Sequence, residues 1–320
     1  MLRKVIAFSL AISVLFPALA NDANRDIDHI IKDLWKTSAL KVDGRRLGAM
    51  CRMQYYIDSL SAPEFGAYCS ADAATRLKME NGTALRYYHK SLEKLVREIP
   101  STRVRPGTVA IWHLYNMGYV IKTPSRCFAV DLMHPDAGEL VPYIDFLLIT
   151  HRHNDHYTDA LNLAMTTAGK PVYSNWTSDS SPLTNLRDIR HIEAGDISID
   201  TDLTDHNETH PSFVITYLVD CGEDTGHIRI FFTGDSCNWE QLNPQQSVDI
   251  FVPHIHVGLD IAKAAEKIDP EWVLSSHILE LGHDLKKWRW SYFTGLDVSH
   301  ETHRRNVFLP VWGEKIIYKK

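Results

Sequence analysis

Residues 151–156 read "HRHNDH", three histidines and an aspartate in six positions, directly after the apolar run "FLLIT". Imidazole nitrogen and carboxylate oxygen are ligands for zinc, and also for manganese or iron, so the residue types narrow the metal without choosing it. In extended backbone His151 and His153 point to the same side and can share one cation, while Asp155 and His156 can turn toward a second. Histidines also cluster by chance on polar loops, so the test is whether further ligands stand where other strands end. Three do: "IRIFFTGDS" delivers Asp235 just after Gly234, "EWVLSSH" ends in His277, and "DISIDTDLTDH" ends in His206. A carboxylate at Asp235 can bridge two cations. The stretch "VPHIHVG" adds His254 and His256 at a further strand end, where alternation turns both to one side; His256 is the candidate to protonate a leaving group or grip an anion. His134 and His283 read as structural, and Cys237 as a packed thiol.

Each of these side chains needs a rigid element behind it. "TVAIWHLY", "GYVIKT", "CFAVDL", "YIDFLLIT" and "KPVYSNW" are bounded by Gly, Pro or polar residues and predict strands. After "YIDFLLIT" the chain leaves the sheet at Thr150, and the Thr158 hydroxyl can cap a helix over "DALNLAM". "SFVITYLVD" and "HIRIFFTGD" follow as strands, and "VDIFVPHIHVG", "LDIAKAAEKIDP" and "EWVLSSH" alternate strand, helix and strand. That rhythm predicts an α/β layered domain rather than an all-β barrel. Ahead of it, "RDIDHIIKDLWKT" and "ALRYYHKSLEKLVREI" place apolar residues at intervals of three and four, which predicts helices. The expected organisation is a helical N-terminal extension over 21–102 and a ligand-bearing domain over 103–320.

A chain of 320 residues with 44% hydrophobic and 23% charged content can bury a sizeable core. Its first twenty residues differ in texture: "MLRK" is basic, and "VIAFSLAISVLFPALA" is apolar and ends in small residues. This predicts a cleaved signal peptide over 1–20, and so an exported protein, periplasmic or secreted. The apolar run falls short of the ~20 residues of a bilayer span, so no stable membrane insertion is expected after cleavage. Cleavage removes Arg3 and Lys4, and the formal charge of −6 less two positive charges is −8. Such a chain has no net pull toward phosphate backbones, which argues against nucleic acid and for a small-molecule substrate as partner. The oligomeric state is not legible. In an oxidising compartment Cys51 with Cys69 is a plausible disulfide among five cysteines, a pairing that spacing alone does not establish, and the odd count leaves at least one thiol over.

Taken together, these segments resemble the metallo-β-lactamase fold superfamily. "HRHNDH" matches its HxHxDH motif, "FFTGDS" is similar to its bridging-aspartate segment, and "VLSSH" to its last ligand strand. "AIWHLYNMGYVIKTPSRCFAVDL" resembles the paired strands that open the fold, with Asp131 matching the acidic residue that ends the second. The resemblance covers roughly residues 103–290 and implies a four-layer αββα sandwich with metals at one edge of two facing sheets. It is similar in layout to the broad lactonase and phosphodiesterase branch. The resemblance implies His151, His153 and His206 on a first divalent metal, Asp155, His156 and His277 on a second, and Asp235 between them. The segment "TDHNETHPSF" lacks the Gly-rich turn that marks the third ligand in many members, so His206 and His210 compete; His206 is preferred because it closes the strand begun at Ile197.

The implied chemistry is hydrolysis by two divalent ions, zinc first, with manganese or iron as alternatives. A water shared by the two falls in pKa from 15.7 toward ~7 and attacks an ester or lactone, an amide or a phosphodiester. Asp235 would hold that water, and Asp155 would orient it and accept its proton. No serine nucleophile is needed, consistent with the absence of G-x-S-x-G. Redox members of the superfamily usually carry a glutamate where His153 stands, so the all-histidine form argues for hydrolysis. A non-catalytic metal-binding or interaction protein would show a broken ligand set.

Overall fold

The computed structural model describes residues 23–176, 183–285 and 287–320. The segment expected as a signal peptide lies outside them. The chain opens with helix α1 over 23–35, followed by α2 (Gly44–Asp58), α3 (Ala62–Ser70), α4 (Ala73–Met79) and α5 (Ala84–Ser101). A first run of strands comprises β1 (Thr108–Tyr115), β2 (Gly118–Lys122), β3 (Cys127–Val130), β4 (Phe146–Leu148), β5 (Val172–Ser174) and β6 (Thr184–Asn185), with α6 (Asp159–Thr167) between β4 and β5. A second run comprises β7 (His191–Ala194), β8 (Ile197–Thr204), β9 (Val214–Asp220), β10 (Arg229–Phe232), β11 (Ile250–Val252), β12 (Trp272–Leu274) and β13 (Val307–Phe308). Helix α7 (Ile261–Ile268) lies between β11 and β12, and α8 (Tyr292–Glu301) precedes β13. The last strand, β14 (Lys315–Lys319), returns to pair antiparallel with β1.

Two mixed sheets result, ordered β14-β1-β2-β3-β4-β5-β6 and β13-β12-β11-β10-β9-β8-β7. Strand period two explains how they stack. In β1, Val109 and Ile111 belong to the core between the sheets with Ile199, Tyr217 and Ile230, whereas Ala110, Trp112 and Leu114 belong to the core beneath the helices. Strands buried on both faces read as continuous apolar runs, as "VITYLVD" of β9 does. Helix α5 turns Leu85, Tyr88, Leu92, Leu95 and Ile99 inward against β1, and α7 buries Ile261, Ala264, Ala265 and Ile268 on the other side. The fold is the four-layer αββα sandwich.

The N-terminal helices share the outer core of the first sheet. Arg46 of α2 is fully buried, 2.6 Å from Glu314, and donates to the Leu309 carbonyl at 2.8 Å. Tyr87 of α5 stacks on Trp312 at 5.0 Å, and the Trp35 indole donates to the Trp312 carbonyl. Removing one partner of a buried ion pair costs about 3–5 kcal/mol, so the helices are fastened to the sheet beside β14. The expected Cys51–Cys69 disulfide is not formed: both are free thiols, Cys51 exposed on α2 and Cys69 half-buried on α3.

Candidate metal centre

Four loops meet at one edge of the two sheets. The segment after β4 carries His151, His153, Asp155 and His156, and is closed by α6, whose N-cap Thr158 accepts from the Leu161 amide at 3.2 Å. The turn after β10 carries Asp235, the loop after β8 carries His206, and the segment after β12 carries His277. Gly234 makes the first turn close: at φ +48° it sits so near Thr150 that a Cβ would lie 2.6 Å from the threonine side chain. The Cys237 amide donates to the Asp205 carbonyl at 2.9 Å, which ties the Asp235 turn to the His206 loop.

The ligand atoms form two groups that share Asp235. His151, His153, His206 and Asp235 offer donor atoms within 4.8 Å of one another, and so do Asp155, His156, Asp235 and His277. Asp235 Oδ2 lies 3.7 Å from His151 Nε2 and 3.5 Å from both His206 Nε2 and His277 Nε2, and Oδ1 lies 3.2 Å from His156 Nε2. Asp155 Oδ2 is 3.0 Å from His277 Nε2 and 3.3 Å from His156 Nε2. His156 Nε2, His206 Nε2 and Asp235 Oδ1 are buried with no hydrogen-bond partner. An unsatisfied buried polar atom costs about 1–3 kcal/mol, and three converging on one spot fit divalent cations held between them.

The surrounding residues fix each ligand's orientation and charge. Buried Asp131 accepts from the Thr150 amide at 2.8 Å, from the Thr150 hydroxyl at 2.7 Å and from His156 Nδ1 at 2.9 Å. With Nδ1 as donor to Asp131, His156 can offer Nε2 to a cation. Burial disfavours its charged ring, yet the Asp235, Asp155 and Asp131 charges raise it well above the usual histidine range, a second proton standing where a cation's charge would. The Asn116 side-chain amide donates to Asp155 Oδ2 at 2.7 Å, and the His277 backbone amide donates to the Asn116 carbonyl. Asn116, Asp131 and His277 all have positive φ, 54°, 48° and 58°, backbone strain concentrated beside the ligands. Burial opposes ionisation of Asp155 and Asp235, but the facing His156 and His277 rings outweigh it and hold both carboxyls well below the usual range. Burial, reinforced by neighbouring imidazoles, pushes His151 far down and His153 down to about 4. Ionised carboxylates and neutral imidazoles are the ligating forms. Burial disfavours the charged His277 ring, yet the Asp235 and Asp155 charges raise it to about 9, a proton standing where a cation's charge would.

No protein-family model matches the chain. A UPF0173 protein of Pyrococcus abyssi is 31% identical over 163 residues, which is 47% of this chain and 71% of the relative. The chain belongs to the UPF0173 family. Its fold is that of the metallo-β-lactamase superfamily: Igni18, a metallo hydrolase from Ignicoccus hospitalis, superposes with TM-score 0.51 at 16% identity over 67% of this chain and 99% of its own. YhfI, a metallo-β-lactamase fold protein of Bacillus subtilis, gives 0.50 at 12% identity over 66% and 100%. CmlA, a diiron β-hydroxylase from Streptomyces venezuelae, gives 0.50 at 12% identity over 68% and 55%.

All seven residues expected as ligands in this UPF0173 chain meet at the cluster. Of the two competing histidines, His206 stands in it; His210 is exposed, with Nδ1 3.0 Å from Asn207 Oδ1. His256 does not reach it, a correction to its expected catalytic place. Strand β11 stops at Val252, so strand alternation no longer orients 254 and 256 together. The His254 ring stacks on His277 at 3.8 Å, while His256 lies 4.9 Å from Trp290. His283, read from sequence as structural, borders the site from the cavity side: with Arg152, His153, Asp155 and Met133 it lines a cavity of about 710 Å³, and Nδ1 is hydrogen-bonded to buried Glu280. A second cavity, of about 680 Å³, opens on the other side of His153 beside Arg152, Arg187, Trp176 and His210. Sequence reasoning missed Asn116 and Thr150. The only signal for Asn116 is that asparagine tolerates the left-handed turn before Gly118, which reads as a hairpin and not as a site.

Proposed function

We propose that the chain is an exported hydrolase that holds two divalent metal ions, zinc first, and cleaves an ester or lactone, an amide or a phosphodiester of a small molecule. The observation that carries this reading is the pair of four-residue ligand groups sharing the Asp235 carboxylate. His151, His153 and His206 would hold one ion, Asp155, His156 and His277 the other, with Asp235 between. Bound there, the ions supply an acidified water and an electrophile for the oxygen that becomes negative.

The chain's own groups do the rest. Asn116 donates to Asp155 Oδ2 and leaves Asp155 Oδ1 to take a proton from the attacking water. Asp131 keeps the His156 Nδ1 proton in place. His283, hydrogen-bonded to Glu280 on the cavity wall, would be the side chain to protonate the departing group, with burial lowering its pKa so that it gives up its proton readily. Export rests on the composition of residues 1–20; among the described residues no helix is long and apolar enough to cross a membrane. The test is turnover of a generic lactone, an aryl ester and an aryl phosphodiester by zinc-loaded and chelator-treated protein. Metal-dependent turnover of one class names the bond. Full activity in Asp235→Asn would remove the bridging role.

A further inference from the structure

We propose that helix α3 is the wall that selects the substrate, which carries an uncharged aliphatic acyl group lying against Gly66 and Cys69; the turnover part of this proposal rests on the hydrolase reading. The cavity of about 710 Å³ is bounded on one side by His153 and Asp155 of the metal cluster and on the other by Ala62, Phe65, Gly66 and Cys69. Those four positions follow the spacing i, i+3, i+4, i+7 and form one face of α3. None is charged. The charged lining, Arg152, Asp155 and Glu280, comes from outside α3, and Glu280 is already engaged by the Gly282 amide and His283.

Gly66 is the informative residue. Glycine weakens a helix interior relative to alanine, and this one has neither a positive φ nor a close neighbour to require it: a Cβ there meets nothing within 4 Å. What it leaves is open space in the cavity. Helix α3 is nonetheless held firmly. Ser61 and Glu64 close a capping box at its start, and Phe65 is wedged edge-on against Tyr88 at 5.4 Å. Buried Arg289 donates to the Ile57 and Leu60 carbonyls at the α2–α3 junction and to the Leu281 and His283 carbonyls of the opposite wall. One side chain thus fixes both sides of the cavity at once. Two thirds of this chain accounts for 99% of Igni18, so about one third of the chain has no counterpart there.

The experiment pairs turnover with binding on zinc-loaded full-length chain. Hydrolysis of 4-nitrophenyl acetate and hexanoate is compared, and calorimetric affinity is measured for acetohydroxamate and hexanohydroxamate, which grip a metal without being cleaved. Each buried methylene is worth roughly fourfold, so the longer member of each pair should be preferred by tenfold or more in the wild type. Gly66→Trp should cut that preference at least tenfold in both assays. Ser70→Trp, further along the same cavity wall, should move it the same way if Gly66→Trp fails to fold. Leu77→Trp, on the exposed side of α4, should leave it unchanged. Ester turnover with no chain-length preference, or a preference that survives both cavity variants, overturns the wall and leaves the hydrolase. Chain-length-dependent hydroxamate binding without turnover of either ester keeps the wall and overturns the hydrolase. Neither turnover nor hydroxamate binding overturns both.

Discussion

Replacing Asp131 with asparagine tests how the site's supporting layer controls its ligands. The carboxylate accepts three hydrogen bonds, the Thr150 amide on Oδ1 and the Thr150 hydroxyl and His156 Nδ1 on Oδ2. An amide has one acceptor oxygen. If that oxygen takes the Oδ1 position, the NH2 group faces His156 Nδ1 and forces the imidazole proton onto Nε2, removing a ligand lone pair. If it takes the Oδ2 position, two N–H groups collide at Thr150. The first outcome weakens the metal and the second weakens the fold. Loss of such a supporting partner lowers metal affinity by about 10–100-fold, which is about 1.4–2.7 kcal/mol. Asp131→Asn should therefore show a zinc affinity reduced by that factor in competition with a chromophoric chelator, or an apo melting temperature lowered by the equivalent of about 1–3 kcal/mol. A variant matching wild type in both measurements would refute the role assigned to Asp131.

Gly234→Ala sets a Cβ 2.6 Å from Thr150 and a left-handed φ on an alanine, and should cost about 2–4 kcal/mol in urea denaturation while weakening metal binding; unchanged values would mean the turn can relax. His283→Ala should lower kcat by about 10²–10⁴ with metal content intact, and a kcat within twofold of wild type on a poor leaving group would remove it as proton donor. His89 is raised by its hydrogen bond to Glu80, 2.6 Å from Nδ1, against an opposing burial effect. A raised histidine stabilises the fold fully below its unfolded pKa of ~6.5 and loses that contribution as pH rises through the folded value. The urea midpoint should accordingly fall from pH 6 toward pH 9, and His89→Asn should flatten that slope; an identical slope in the variant would contradict the assignment.

How much of this was legible in the sequence depended on whether one strand or several carried the signal. His151, His153, Asp155 and His156 follow a buried apolar run, and Asp235 and His277 each end another, so period and composition sufficed for them. His206 was less clear because β8 ends at Thr204 and the loop beyond it holds two histidines. His256 misled because its alternation with His254 looks like strand, yet β11 ends at Val252 with only an isolated bridge from His254 to Ser276 beyond it, and the two rings part. Asn116, Arg289 and α3 were invisible, since their roles arise from contacts with residues about 40 to 230 positions away.

The most direct test of the account is metal stoichiometry by mass spectrometry on the reconstituted chain, with His206→Ala and His210→Ala alongside. The account predicts about two divalent ions per chain in the wild type and in His210→Ala, and a loss toward one in His206→Ala. No bound metal in the wild type, or a loss confined to His210→Ala, would contradict it.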